Sequence, residues 1–156
     1  MGFQTAFDQA NCFYWCAIEC GKKYIHSKEV DYSVIPYCVN LAFSCELYVK
    51  ALLLFYEIKN EKTHCLVELF NILPEDIRKA IINSTHLSNS SSFESELETA
   101  SKVFVEWRYA HENATVSCNP SFLLNFAEAL RDEGCRRFYH NLDWKSYCKI
   151  VGFDFD

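Results

Sequence analysis

Apolar positions recur at three- and four-residue steps through most of this chain, the spacing that places side chains on one face of an α-helix. From about Phe3 to His26, the residues Phe7, Tyr14, Ile18, Gly21 and Ile25 form such a stripe. A second helix is predicted to begin near Ser33 as N-cap, to tolerate Pro36 in its first turn, and to run to about Lys59. Its middle, Asn40 to Phe55, is apolar on nearly every side, the pattern of a central helix. Glu46 and Lys50 interrupt it as an i,i+4 pair, and on a buried face they need further partners. A short helix is expected from His64 to Asn71, and Pro74-Glu75-Asp76 opens another that ends near Asn83. Ser84 to Ser92 reads as a surface loop. Ser91 and Glu94 suggest a capping box for the next helix, along which Phe93, Leu97, Ala100, Phe104, Trp107 and His111 keep helical spacing. After a loop from Asn113, Asn119-Pro120 starts the last long helix, predicted to reach about His140 with Leu123, Phe126, Ala127 and Leu130 inward. The tail, Gly152 to Asp156, is expected to fray or to dock through its two Phe rings.

These elements add up to one all-α domain over residues 1–156. Half the residues are hydrophobic and 16% are aromatic, enough for a packed core. Only 4 Gly and 3 Pro are present, fewer than the many tight turns of an all-β domain would use. Lys50 and Glu57 break the best apolar run, so no membrane span is expected.

The formal net charge of −6 argues against broad non-specific binding to nucleic acid, which draws its affinity from phosphate neutralisation. A local basic stretch remains, with Arg131, Arg136, Arg137, Lys145 and Lys149, and it reads as a solvated helix face. The N-terminus carries no basic-then-apolar pattern, and the nine cysteines are odd in number. Reduced thiols in a cytoplasmic protein are expected, with cysteine used as a small core residue. Cys12, Cys16 and Cys20 recur every fourth residue and are read as buried rather than as metal ligands, since a fourth ligand is missing. No metal or cofactor is expected. His64 is expected to cap or pack at the start of the short helix.

The segment Glu106-Trp107-Arg108-Tyr109-Ala110-His111-Glu112 carries the candidate chemistry. Phosphodiester chemistry needs a proton acceptor and a cation for the phosphate. Imidazole exchanges protons near neutral pH, and guanidinium grips two phosphate oxygens at once. Arg108 and His111 fit these catalytic roles, with Glu112 orienting either; Tyr109 could stack a base, and Glu46 and Lys50 support the site. The same residues have a structural reading, in which Arg108 and Glu112 close a salt-bridge network with Glu46 and Lys50.

Three segments together resemble the HEPN superfamily, the "higher eukaryotes and prokaryotes nucleotide-binding" helical domain. They are Asn40 to Leu54 with its Glu-Leu-Tyr-Val-Lys core, His64 to Phe70 followed by Leu73-Pro74, and Phe104 to Glu112. The resemblance implies an all-α, up-and-down bundle of four to five main helices with a short extra helix, of a kind that commonly forms a homodimer. It also implies either a metal-independent endoribonuclease, often a toxin paired with an antitoxin, or a silent RNA-binding or interaction module. Active members carry Arg, then four to six residues, then His. Here only two residues separate Arg108 from His111, and Asn113, Ala114 and Thr115 occupy the positions where that histidine would fall.

Overall fold

A computed structural model describes residues 2–26, 34–59, 63–87, 92–107 and 118–152. Seven helices make up the secondary structure of these residues: α1 (Phe3–His26), α2 (Val34–Phe55), α3 (Leu66–Asn71), α4 (Glu75–Ser84), α5 (Phe93–Glu106), α6 (Pro120–Phe138) and α7 (Trp144–Val151). Four long helices, α1, α2, α5 and α6, carry the bundle, and α3, α4 and α7 are short additions. The all-α expectation holds.

α2 is the centre because its sequence leaves no polar face to give to solvent. Cys45, Glu46, Leu47, Tyr48, Val49, Ala51 and Leu53 are all buried, spread around most of its circumference. α1 packs along it antiparallel: Phe3 meets Phe55, Phe7 meets Tyr48, the Ser44 hydroxyl donates to the Ala10 carbonyl, and Gly21 lies under the Tyr37 ring. α6 runs parallel to α2, with Cys45 beside Leu123 and Phe55 against Phe138. A ring cluster of Phe7, Tyr48, Phe138, Tyr139 and Tyr147 closes one end of this three-helix core. A second cluster, Phe70, Phe93, Phe122 and Phe126, joins α3, α5 and α6.

The reason given for expecting no membrane span needs correcting. By length and composition alone α2 could cross a bilayer, since it has 22 residues and a mean hydropathy of 1.6. Two-thirds of that window is buried against other helices (67%), so its apolar surface is already spent on packing.

Several boundaries differ from expectation. α2 stops at Phe55 rather than near Lys59 because Glu57 turns left-handed, at φ 54°. The Ile58 N–H then reaches back to the Leu53 carbonyl and the Glu57 N–H to that of Leu54, a Schellman closure built without glycine. The cap of α5 is Ser92, whose hydroxyl accepts from the Ser95 N–H at 3.2 Å; the helix starts at Phe93, one residue out of step with a Ser91–Glu94 box, and Ser91 lies outside the described residues. Ser33, proposed to cap α2, and the two tail Phe residues also lie outside them. Asn119 caps α6 as expected, accepting from Phe122 N–H at 3.2 Å.

α7 was not anticipated. Asp143 caps it by accepting from the Ser146 N–H at 2.8 Å, and Gly152 ends it left-handed at φ 77°. It docks through the Tyr147 hydroxyl, which donates to Asp8 at 2.9 Å, and through Trp144, whose ring lies 4.4 Å from the Arg131 guanidinium. Arg131 is therefore no solvated face residue. It is 8% exposed, stacked between Trp144 and Tyr14, and its Nε and Nη2 both donate to Asp132 Oδ1. Arg136 and Arg137 likewise converge on the buried carboxylate of Glu133 at 2.8 Å each.

The cysteine stripe of α1 is also corrected. Cys12 and Cys16 are exposed and Cys20 half-buried. At roughly 100° per residue, Cys12 and Cys16 fall well outside the arc formed by Ala6, Phe7, Ala10, Tyr14, Ala17 and Gly21, and Cys20 lies just off its edge.

Candidate functional site

Glu46 lies on the side of α2 away from Tyr48. It is 2% exposed, and a carboxylate so placed needs charged or donor partners. Lys50, one turn along, donates to its Oε1 at 2.7 Å, and the Nδ1 of His64 sits 2.8 Å from the same oxygen. The i,i+4 pair read from the sequence is thus real, and its further partner is His64.

His64 does not cap or pack as expected. Cys65 occupies the N-cap position of α3 and offers no side-chain cap bond. The Leu66 N–H is instead capped from α5, by Ser101 Oγ at 3.0 Å, and the Cys65 N–H bonds Thr63 Oγ1 at 3.0 Å. Thr63 in turn donates to Glu68 at 2.7 Å. The backbone on both sides of His64 is fixed in this way, while its own side chain is 66% exposed.

Outside His64 is a cleft of about 570 Å³ between the start of α3 and the last turns of α5. His64, Glu68, Ser101, Lys102 and Glu106 line it, with Glu98 adding a third carboxylate. The cleft is large enough for a nucleotide-sized group. It offers an imidazole and an ammonium for a phosphate, and carboxylates for a cationic group. Among the described residues, no group of three His, Cys, Asp or Glu side chains is placed to hold a metal ion.

Of the sequence-predicted site residues, Glu46 and Lys50 are thus brought together. Arg108, Tyr109, His111 and Glu112 lie outside the described residues. α5 ends at Glu106, with Trp107 as its C-cap residue, two residues before Arg108 in the chain. Sequence reasoning missed the role of His64, Ser101 and Lys102. The demand for a further Glu46 partner was the available signal, but nothing in the spacing says which later residue meets it.

A family model of the HEPN domain matches residues 23–138, most of the chain and the span from the end of α1 to the last residue of α6. The chain belongs to the HEPN family. No curated protein and no solved structure matches it. The HEPN span contains Glu46, Lys50, His64 and the whole cleft wall, and α7 falls beyond it. α7 is tied to the bundle by Trp144 and Tyr147.

Proposed function

We propose that this HEPN domain binds single-stranded RNA at the cleft beside His64 and cleaves it without metal, acting as a cytoplasmic homodimer in a toxin–antitoxin or defence setting. In this reading Arg108 holds the scissile phosphate, His111 transfers protons, Glu112 orients them, and Tyr109 stacks a base, with Glu46 and Lys50 supporting the site. One observation carries it. A buried carboxylate fixes an exposed imidazole at the edge of a cleft whose wall ends at Glu106, two residues before Arg108. The nine thiols, none in a disulfide and two of them exposed, suit a reducing compartment.

The test is cleavage of end-labelled single-stranded RNA in EDTA, with sedimentation to count subunits. Cleavage by the wild-type chain, lost in Arg108→Ala and His111→Ala at unchanged melting temperature, supports the proposal. Intact RNA with no measurable binding refutes it.

A second reading has its own support. Glu68, Glu98 and Glu106 outnumber the basic groups His64 and Lys102 around the cleft, which favours a basic protein segment over a polyanion. Under this reading the domain is a silent interaction module, and Arg108 and Glu112 serve a structural salt-bridge network. Arg108→Ala would then cost several kcal/mol of stability, and the wild type would cut no RNA.

A further inference from the structure

Glu46 and His64 form a carboxylate–imidazole dyad with the geometry of a proton-transfer unit. The Glu46 carboxylate cannot swing into solvent, because it is 2% exposed and gripped by Lys50 at 2.7 Å. An ionised carboxylate only accepts, so the nitrogen 2.8 Å from it, Nδ1, carries the proton and donates. In the neutral ring this leaves the lone pair on Nε2, at the far side of the imidazole. Among the described residues Nε2 has no partner, and the ring opens onto the cleft. The bonds from Thr63 and Ser101 to the neighbouring backbone restrict the ring's position further. An exposed histidine that served only to neutralise Glu46 would be redundant, because Lys50 already does so.

The geometry points to His64 as a catalytic base of this domain, with Glu46 as its positioning residue and an RNA 2′-hydroxyl as the proton donor. The inference rests on the proposed RNA-cleaving function and adds to it a residue from α2's side of the cleft. In the step, Nε2 takes the 2′-hydroxyl proton while the 2′-oxygen bonds the adjacent phosphorus. The bond from phosphorus to the 5′-oxygen breaks, and that oxygen leaves with a proton from His111, which takes one back from water. The imidazolium returns its proton to solvent. One RNA thus yields a 2′,3′-cyclic phosphate and a 5′-hydroxyl, with no other reactant consumed. Lys102, on the same wall, is placed to balance charge on the phosphate.

Single-turnover cleavage of labelled RNA by the full chain in EDTA tests this, together with RNA binding by anisotropy. His64→Ala is expected to slow cleavage by about 10²–10⁴-fold with binding nearly unchanged. Added imidazole should restore part of the rate to His64→Ala and none to Arg108→Ala. Glu46→Gln should lower kcat more than it raises KM. His64→Gln, which keeps a polar side chain at the position, guards against a folding defect and should be as slow as His64→Ala. If His64→Ala cleaves at the wild-type rate while Arg108→Ala does not, His64 is no base and the proposed function stands. A slow His64→Ala that imidazole does not rescue and that melts well below wild type also overturns the inference, since the role is then structural. A wild-type chain that neither binds nor cuts RNA brings down both.

Discussion

Glu46→Gln keeps the size of a side chain that is 2% exposed and removes its charge. Two charge-assisted contacts are lost, from Lys50 at 2.7 Å and His64 at 2.8 Å, and such bonds contribute roughly 1.5–3 kcal/mol each. Most of that is recovered. Lys50 is 24% and His64 66% exposed, so both rehydrate, and the amide oxygen still accepts one neutral hydrogen bond of about 1 kcal/mol. The expected loss is therefore about 1–2 kcal/mol, below the 3–5 kcal/mol typical when the orphaned partner of a pair stays buried. For a domain of this size that lowers Tm by roughly 2–8 °C. Urea denaturation of the single and double variants gives the couplings. Glu46 should couple to Lys50 by about 1 kcal/mol and to the more exposed His64 by less. A Glu46→Gln variant within about 0.5 kcal/mol of wild type, or with no coupling to Lys50, would show that charge does not hold this site together.

Other expectations follow from the same packing. Gly134→Ala places a Cβ 2.5 Å from the Phe7 ring, which is fully buried among Phe138, Tyr48 and Tyr147, so the helix-propensity gain of about 1 kcal/mol is outweighed and a net loss of roughly 1–3 kcal/mol is expected on denaturation. Glu57→Gly relieves the left-handed turn after α2 and should raise stability by about 0.5–1 kcal/mol; an unchanged urea midpoint would refute the strain. The Ser146 backbone N–H holds the Asp143 carboxyl below its ordinary 3.8, so its contribution to α7 is present above that value and lost as pH falls through the lower folded one. Asp143→Asn, also a good cap, should leave α7 docked at neutral pH and flatten the acid limb of Trp144 fluorescence. Cys12 and Cys16 should react with a thiol reagent well before Cys135, which burial pushes up to about 12, and before Cys45, which burial raises further; equal rates would contradict the exposed stripe.

The sequence carried the long helices well because their signals are redundant. α1 and α6 each have an apolar period, α2 is a long run apolar on nearly every side, and α6 also has its Asn119-Pro120 start. Where one local signal decided, reading failed: Ser91 and Ser92 offer the same cap one residue apart, and Glu57 ends α2 in a conformation that composition assigns to glycine. α7 was missed although Asp143 and Gly152 bracket it, since eight residues give barely two turns of periodicity. The cysteines misled because thiol burial was inferred from residue type rather than from angle around the helix. The site was half legible. Glu46 and Lys50 declared themselves by being charged on an apolar helix, but the His64 contact spans 18 residues and depends on how α3 is pinned by Ser101.

That pinning also explains why variants at the site can be interpreted at all. The ring cluster that closes the α1–α2–α6 core is reached through Tyr48, while Glu46 and Lys50 leave α2 on its other side, where His64 meets Glu46. Residues two apart on a helix point about 200° away from each other, so the folding core and the polar site share a backbone but not a surface. An apolar residue at position 46 would satisfy packing at least as well, because a buried ion pair commonly contributes no more than a hydrophobic substitute. What the carboxylate supplies and an apolar residue cannot is a fixed acceptor for an exposed imidazole. Glu46 is thus accounted for less by the stability of the bundle than by the orientation of His64, and the two can be separated by measuring unfolding and RNA chemistry on the same variants.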